Sequence, residues 1–328
     1  MYSLRQFSCG GPEELYRVAR KIAWDQFIDS YGYFTVNCNV SHPTIRSTMF
    51  ANVKVKDAIV DCIRSSKGRR PDSGAEMQGT VVYLYWRDDQ AELFLDTSGQ
   101  TLAKHGYRMI PGKAPMVEAL AAGIVLSSRW DRVAPVVNPM CGSGTLAIEA
   151  ALIATGRYPA LFREEFAFEH ILGFDEANYK LQQDKLQQAI VQPDSLQIIA
   201  SDIDSGAVRN ARANAKAAGV DKWIEFETCD FRDTRVPQPG GILLFNPEYG
   251  QRLGDQSELQ ETYAQIGDFM KQKCGGYWGY VFTGNIELGK RIGLKPKRRL
   301  EFHTAQLDCR LFEFELYAGS KKQSQQVD

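Results

Sequence analysis

Hydrophobic and polar positions in the first 128 residues of this chain follow helix and strand periods in turn. Residues 54–64 place their apolar side chains on one face of a predicted helix. Residues 80–86 and 91–96 are apolar strands on either side of a polar turn, and they predict a β-hairpin. Residues 114–128 predict a further helix with Pro115 in its first turn. The first part of the chain therefore mixes helices and strands.

From about residue 130 the pattern changes to short strands that are each followed by a helix. Five apolar segments predict strands, at 132–137, 196–201, 223–229, 241–245 and 277–282. Helices are predicted at 144–156 and at 205–219, with Ser205 as the N-cap of the second. Such alternation is typical of a mostly parallel, doubly wound sheet. The alternating strand 309–319 predicts an antiparallel hairpin at the sheet edge.

One segment interrupts this rhythm. Residues 157–195 separate the first helix from the second strand and are far longer than an ordinary connection, so they are interpreted as an insertion. Residues 180–190 within it have a helical pattern. The charged residues at the end of the chain, including the tail 321–328, are predicted to be frayed.

Composition and charge narrow the class of protein. With 328 residues and 44 % apolar content the chain has the composition of a soluble globular protein, and its length predicts two domains. A net charge of -1 gives no global field for a polyanion, so nucleic acid would have to be held by local basic patches. Residues 1–14 lack the apolar core of a signal peptide and no apolar run is long enough to span a bilayer, so neither a secretory signal nor a membrane span is expected.

The cysteines predict a reducing compartment. Seven of them are scattered along the chain, none in a Cys-x-x-Cys pair, and the four histidines lie near none of them at ligand spacing. We therefore expect neither a disulfide framework nor a metal site, and a cytoplasmic location.

In the second part of the chain, the first predicted strand is connected to the helix that follows by the segment Asn138-Pro-Met-Cys-Gly142-Ser-Gly144-Thr145. Glycines at such a position let backbone amides approach a ligand, and ligands of open α/β sheets bind at the carboxyl ends of strands. The same residues fit the dinucleotide fingerprint G-x-G-x-x-A, which by itself is a weak signal and leaves a purely structural turn open.

Acidic residues at the next two strand ends suit a nucleoside. Asp202 follows the second strand and could accept both hydroxyls of a ribose, although it lies farther from Gly144 than the about 20 residues of a compact dinucleotide unit. Asp230 and Phe231 follow the third strand and suit an adenine amino group and its ring face. A turn aspartate is the alternative interpretation of Asp230, and Asp204 is interpreted as part of the helix start.

The fourth strand ends in Asn246-Pro247-Glu248-Tyr249. The side-chain oxygen of Asn246 can accept a hydrogen bond from an exocyclic amine, and the extended conformation imposed by Pro247 exposes a second carbonyl acceptor. Tyr249 offers a face for a flipped base, a contact worth about 1–3 kcal/mol. Two acceptors that hold an amine orient its lone pair, which favours methyl transfer over hydride transfer.

Together these motifs resemble one family. The segments that begin at Asn138, Ser201 and Phe245 are similar to those of the S-adenosylmethionine-dependent, THUMP-containing ribosomal RNA methyltransferases, and most similar to the large-subunit guanine-N2 methyltransferases. The similarity extends upstream through 54–72, 95–108 and 114–123, and downstream through 282–285 and 307–317. It covers nearly the whole chain.

The resemblance implies a fold and a division of the chain. Residues 111–320 would form a Rossmann-like, doubly wound methyltransferase domain with a seven-stranded sheet. Residues 1–110 would form an α+β THUMP-like RNA-binding domain, and family members carry a further ferredoxin-like part before the stretch that starts here.

The resemblance also implies roles for individual residues. The cofactor S-adenosylmethionine would be bound by Asn138, Pro139, Met140, Cys141, Gly142, Ser143, Gly144, Thr145, Asp202, Ile203, Asp230, Phe231 and Asn246. The target amine would be held by Asn246, Pro247 and Tyr249, with Glu248 beside them. Two positions depart from the family, since Asn138 stands where Asp is usual and Glu248 where Pro is usual. Glu248, if it faces the substrate, would favour guanine, because a carboxylate can accept from both N1–H and the N2 amine.

Local basic patches agree with an RNA partner. Residues 41–70 carry seven Lys or Arg against two acids, and residues 289–299 carry six with no acid. Solvated surface charge is the alternative interpretation of each patch. The candidate RNA contacts are Arg46, Lys54, Lys67, Arg69, Arg70, Arg108, Lys297 and Arg298.

The sequence leaves three other classes of function open. The Asn-Pro-x-Tyr pattern would serve adenine N6 or a protein glutamine equally well, so it cannot discriminate between these substrates. A non-catalytic RNA-binding paralogue would explain the departures at Asn138 and Glu248, and failure to bind S-adenosylmethionine would identify it. An NAD-dependent oxidoreductase lacks a visible proton donor beside the proposed cofactor, and NAD binding would be needed to support it.

Overall fold

The computed structural model describes residues 1–43, 45, 47–110, 116–250, 256–304 and 307–317. They divide into two compact units. Unit 1 consists of Met1–Leu102 and Arg163–Lys185, and unit 2 of Ala103–Phe162 and the described residues from Leu186 onward.

Numbered along the chain, the strands are β1 (Tyr2–Ser8), β2 (Tyr33–Ser41), β3 (Asp72–Ser73), β4 (Thr80–Arg87), β5 (Gln90–Asp96), β6 (Val136–Pro139), β7 (Ile198–Asp202), β8 (Ile224–Thr228), β9 (Ile242–Phe245), β10 (Trp278–Thr283), β11 (Arg298–Thr304) and β12 (Leu307–Glu315). The helices are α1 (Pro12–Ala19), α2 (Thr48–Lys67), α3 (Glu118–Ser127), α4 (Thr145–Ala154), α5 (Glu176–Gln188), α6 (Ser205–Ala217), α7 (Gln256–Lys273) and α8 (Ile286–Arg291). No helix in the described ranges is long and apolar enough to cross a bilayer.

Unit 1 is built on a five-stranded sheet in the order β1-β5-β4-β2-β3. The predicted hairpin is confirmed, because β4 and β5 pair antiparallel. The predicted apolar helix face is also confirmed: Val55, Ile59 and Ile63 of α2 are fully buried in the core of this unit. Strands β1 and β2 were not predicted from the sequence. They flank the hairpin, since β1 pairs with β5 and β2 pairs with β4.

Part of the predicted insertion belongs to unit 1 although it interrupts the sequence of unit 2. The guanidinium of Arg163 donates to the main-chain oxygens of Ser98 and Gln100, at 2.9 and 3.0 Å. The hydroxyl of Thr80 donates to the main-chain oxygen of His170 at 3.0 Å. These bonds satisfy backbone groups of unit 1 and explain why residues 163–185 cluster with it.

Unit 2 contains a seven-stranded sheet in the order β11-β12-β10-β9-β6-β7-β8. Strands β8, β7, β6, β9 and β10 are parallel, whereas β12 and β11 form an antiparallel hairpin at the edge. Buried side chains of α3, α4 and α6 form one core, and those of α7 and α8 form another with the sheet between them. Helices on both faces of a mostly parallel sheet confirm the predicted doubly wound fold and its edge hairpin.

The structure corrects several details of the sequence prediction. The first strand begins at Val136 rather than at residue 132, because Asp131 instead closes a turn by accepting from the amides of Val133 and Ala134. The N-cap of α6 is Asp204 rather than Ser205, since its side chain accepts from the amide of Gly206 at 2.7 Å. Helix α3 begins at Glu118, and Pro115 lies outside the described residues, as does the tail 321–328.

Candidate active site

Four strand ends of unit 2 meet at one edge of the sheet. Parallel pairing sets Pro139 opposite Ser201 and Asp202 opposite Thr228, while Val137 lies opposite Leu243. The residues that follow β6, β7, β8 and β9 therefore share the carboxyl edge, which is where open α/β sheets bind ligands. The structure thus brings together the four segments that carry the predicted site.

Residues 138–145, called here the cofactor loop because the sequence predicts that they bind a cofactor, contain three residues with a left-handed backbone conformation. Met140 and Gly142 have a φ of 55° and Gly144 one of 82°. A Cβ at Gly144 would lie 2.9 Å from the Cβ of Ala211, so α6 packs directly beneath the loop. At Gly142 nothing lies within 4 Å of such a Cβ. The backbone at Gly142 therefore borders open space that a ligand could fill.

Asp202 is tied to the cofactor loop. Its Oδ2 accepts from the amide of Gly142 at 2.9 Å, and its Oδ1 accepts from the amide of Asp204 at 3.0 Å. Each carboxylate oxygen keeps a further lone pair for a ligand hydroxyl. The neighbouring Ile203 has 74 % of its surface exposed and leaves an apolar side chain at the same edge.

Asp230 is held by a neighbouring arginine. The Nε and Nη2 of Arg232 donate to its two carboxylate oxygens, each at 2.8 Å. These charge-assisted bonds lower the pKa of Asp230. The next residue, Phe231, is buried and packs edge-on against Phe245 and Phe269. Its ring is therefore part of the core and offers little face to a ligand.

Asn246, the residue that follows β9, has an unused acceptor. Its Oδ1 is buried and has no hydrogen-bond partner within the described part of the chain. Pro247 is buried beside it and Glu248 is exposed to solvent. An unsatisfied buried acceptor is costly, so this oxygen is the group at the strand end that a donor would satisfy.

Tyr249 is wedged against the strand beside it. Its ring contacts Phe282 edge-on at 6.5 Å between centroids. A Cβ at Gly284 would lie 2.8 Å from Tyr249 Cε2, so only glycine leaves room for the ring. Burial raises the pKa of Tyr249, which therefore keeps its proton. The ring is half-buried and held in place, and Gly284 was not predicted to matter for it.

Asn138 links the cofactor loop to β9, the strand that precedes Asn246. Its Nδ2 donates to the main-chain oxygen of Leu244 at 2.8 Å. Its Oδ1 is buried without a partner among the described residues. A carboxylate could not make the bond to Leu244, so the amide at this position has a local structural reason.

Arg108 was predicted to contact RNA, which requires an exposed side chain, but it is mostly buried in unit 2. Its side chain is only 12 % exposed, and its guanidinium donates to Glu118, Ser143 and Thr145 of unit 2. Asn214 of α6 also reaches the cofactor loop, where its Nδ2 donates to the main-chain oxygen of Ser143 at 3.2 Å. Asn214 was not predicted from the sequence. The feature that could have indicated it is an amide side chain on the buried face of an alanine-rich helix.

The other candidate RNA contacts divide into paired and exposed residues. Lys54 pairs with Glu13 at 2.6 Å, Lys297 with Glu315 at 2.6 Å, and Arg298 with the buried Glu313. These three side chains therefore form ion pairs within the protein and are only partly exposed to solvent.

Near the end of α2 the basic residues are more open. Arg69 lies 4.3 Å from the centroid of the exposed Tyr31 ring. Lys67 and Arg70 are exposed, with Lys67 3.8 Å from Asp25. Arg46 lies outside the described residues.

The described residues provide neither a reactive thiol nor a metal-binding cluster at this site. Burial raises the pKa of Cys141, so its thiol is uncharged and inert. No group of three or more His, Cys, Asp or Glu residues that could hold a metal ion occurs within the described ranges.

Comparisons with known proteins assign both parts of the chain. Residues 105–313 match a family described as the RMKL-like methyltransferase domain, and residues 12–96 match the THUMP domain. The "Ribosomal RNA large subunit methyltransferase K/L" of Syntrophotalea carbinolica is 36% identical over 326 residues, which are 95% of this chain and 45% of that protein. The chain thus spans less than half the length of this relative.

Two further similarities cover more of the matching protein. The protein slr0064 of Synechocystis sp., named as an RNA methyltransferase, is 34% identical over 93% of this chain and 79% of its own length. The crystal structure of SMU.472, described as a methyltransferase and complexed with SAH, superposes with a TM-score of 0.87 at 26% identity. That alignment covers 97% of this chain and 84% of SMU.472.

Proposed function

This chain belongs to the RMKL-like methyltransferase family and carries a THUMP domain, and we propose that it transfers a methyl group from S-adenosylmethionine to an exocyclic amine of ribosomal RNA. The finer proposal is that the amine is N2 of a guanine in the large-subunit RNA. The resemblance of the chain to large-subunit guanine-N2 methyltransferases supports this choice of atom.

The observation that carries the proposal is the orphan oxygen of Asn246. A buried amide oxygen without a partner in the described chain is an acceptor that an amine donor would satisfy, and it lies beside the cofactor loop. An amino group has two hydrogens, so the carbonyl of the buried Pro247 can supply the second acceptor. This pair of acceptors suits an exocyclic amine better than a hydroxyl, which has one hydrogen.

The chemistry requires orientation more than proton transfer. Two acceptors in the plane of the amine leave its lone pair pointing out of that plane, which makes the nitrogen nucleophilic without a strong base. Tyr249 is held edge-on against Phe282 and can present its free face to a base. Restricting the base in this way lowers the entropic cost of reaching the reactive arrangement.

The residues at the sheet edge fit S-adenosylmethionine. The open space at Gly142 would admit the methionine part against the backbone, and the unpartnered Oδ1 of Asn138 is an acceptor at the same place. Asp202 would accept the ribose hydroxyls, Ile203 would cover one side of the adenine, and Asp230 would accept its amino group. The cofactor supplies an activated methyl group when bound. The SAH in SMU.472 supports this assignment.

The RNA substrate is supported by the THUMP match and by the names of two relatives. One of them is named a large-subunit ribosomal RNA methyltransferase and the other an RNA methyltransferase. The exposed Lys67, Arg69 and Arg70 with the stacked Tyr31 would contact phosphates and a base. From the same substrate we infer a cytoplasmic location.

The experiment that tests the proposal is mass spectrometry of nucleosides from ribosomal RNA. RNA from a strain without the gene is compared with RNA from the same strain carrying the wild-type gene or the Asn246→Ala variant. We expect one N2-methylguanosine to disappear on deletion, to return with the wild type, and to stay absent with the variant. Binding of S-adenosylmethionine to the purified chain is measured in parallel by calorimetry.

Each contrary result identifies a different alternative. Loss of N6-methyladenosine with N2-methylguanosine unchanged would favour an adenine-N6 enzyme. No change in ribosomal RNA, combined with methylation of a protein glutamine, would favour a protein substrate. No binding of S-adenosylmethionine at millimolar concentration would favour a non-catalytic RNA-binding paralogue, and binding of NAD in its place would favour an oxidoreductase.

A further inference from the structure

Arg108 and Asn214 hold the same residue of the cofactor loop from two sides. Nη1 of Arg108 donates to the hydroxyl of Ser143 at 3.1 Å. Nδ2 of Asn214 donates to the main-chain oxygen of Ser143 at 3.2 Å. One bond therefore fixes the side chain of Ser143 and the other fixes its backbone.

Arg108 is itself held in place by three further bonds. Its Nε donates to Glu118 Oε1 at 2.9 Å, and its Nη2 donates to the main-chain oxygen of Met116 at 2.6 Å and to the hydroxyl of Thr145 at 3.2 Å. Because Glu118 neutralises the charge, the guanidinium can remain mostly buried. The rigid fork of an arginine can reach these partners at once, which a lysine cannot do.

Both the oxygen and the nitrogen of the Asn214 side-chain amide form hydrogen bonds in the same region. Its Oδ1 accepts from the amides of Met109 and Ile110 at 3.0 and 3.1 Å. Its Nδ2 donates to the main-chain oxygen of Ile110 at 3.1 Å in addition to Ser143. The residue is 1% exposed, so it cannot touch a ligand. A buried amide with all its groups paired fixes one arrangement of the segments around it.

The cofactor loop is a segment that needs such support. Met140 has the left-handed conformation that side chains disfavour, and Gly142 and Gly144 share it at residues with no Cβ to restrict them. Strained conformations of this kind persist only where the surroundings determine them. Ser143 lies between the two glycines, so bonds to it act where the loop has most conformational freedom.

We propose that Arg108 and Asn214 are positioning residues that hold the cofactor loop ready for S-adenosylmethionine. The inference rests on the proposed function, because it takes the loop to be the binding site of that cofactor. Both residues act through Ser143. Because they hold the loop in one conformation before binding, the entropic cost of ordering it does not reduce the affinity for the cofactor.

The test is the affinity for SAH, measured by calorimetry on the full chain well below its Tm. Arg108→Met and Asn214→Ala should each weaken binding about tenfold, the size expected for one lost charge-assisted or buried hydrogen bond. Arg108→Lys keeps a positive charge for Glu118, so it should recover the Tm but not the affinity. In methyl transfer the KM for S-adenosylmethionine should rise while kcat at saturation stays within about twofold.

Arg129→Met is the control for the loss of an arginine–glutamate pair that does not contact the cofactor loop. Arg129 also pairs with a buried glutamate of unit 2, Glu313, at 3.2 Å, but at the edge hairpin of the sheet. Its loss should leave the affinity for SAH unchanged, and the Tm should fall only slightly because Arg298 still pairs with Glu313.

Two results would overturn the inference. If the wild type binds SAH and the Arg108 and Asn214 variants bind it within about twofold of the wild type, the positioning role is excluded while the proposed function stands. If the wild type does not bind SAH, the proposed function fails and the inference fails with it. Should Asn214→Ala not fold, Arg108→Lys decides the question alone.

Discussion

Asn138 donates a hydrogen bond from Nδ2 to the main-chain oxygen of Leu244, 2.8 Å away. The bond joins β6, which leads into the cofactor loop, to β9, which is followed by Asn246. The family resemblance predicts aspartate at position 138, and the structure gives a physical reason for asparagine, because only the amide can donate to a carbonyl at neutral pH.

Asn138→Asp should make the stability of the chain depend on pH. Asn138 is 1% exposed, so the new carboxyl must be protonated to donate to Leu244, and burial raises its pKa above the unfolded value of about 3.9. The protonated form stabilises the fold at low pH, and this stability is lost as pH rises through the folded pKa. We expect the Tm, relative to wild type, to be several degrees lower at pH 8 than at pH 5.

Asn138→Ala is the control for that prediction. It removes the donor without adding a carboxyl, so its loss of Tm should be the same at both pH values. A loss of Tm in Asn138→Asp that is equally independent of pH would contradict the assignment of the bond to Leu244.

Asn246→Ala should abolish methyl transfer while the fold is retained. The variant loses the buried acceptor that orients the amine, and loss of orientation or of a single preorganised polar contact lowers a rate by about 100-fold or more. Single-turnover transfer of a labelled methyl group to unmodified ribosomal RNA measures the rate. An unchanged rate would show that Asn246 does not hold the amine.

Glu248→Gln should change guanine methylation by less than about twofold. The side chain is exposed at the rim of the site, and exposed charges contribute little energy. The same single-turnover assay measures the effect. A loss of tenfold or more would show that the carboxylate accepts from guanine, as the sequence suggested for an inward-facing glutamate.

Gly284→Ala should impair catalysis without affecting the cofactor. The added Cβ would lie 2.8 Å from Tyr249 Cε2, which forces the ring to move. We expect the KM for RNA to rise and kcat to fall, with the affinity for SAH within about twofold of the wild type. Gly123→Ala is the control, since its Cβ would meet Phe302 at an ordinary 3.7 Å. Normal transfer by Gly284→Ala would mean that Tyr249 has no role in holding the base.

Much of unit 2 could be predicted because its order is encoded locally. Alternating apolar runs and amphipathic segments determine where strands and helices form, and parallel strands with crossover helices bring their carboxyl ends to one edge. The positions of Asn138, Asp202, Asp230 and Asn246 at that edge followed from the sequence alone.

The partners of polar and aromatic side chains could not be predicted in the same way. Arg108 has the sequence appearance of a surface cation, yet it is buried by contacts with residues 8 to 37 positions away. Phe231 follows a strand end as a ligand-facing ring would, but packs into the core against Phe245. Such outcomes depend on neighbours that only the folded chain supplies.

The sequence by itself determined the doubly wound sheet, the order of the motifs and the glycines of the cofactor loop, because each depends on residues close together in the chain. The tertiary structure decided that residues 163–185 join unit 1, that Glu248 faces solvent, and that Arg108 and Asn214 meet at Ser143. The physical reason is that burial and hydrogen bonding between distant segments are set by packing, which local periodicity does not encode.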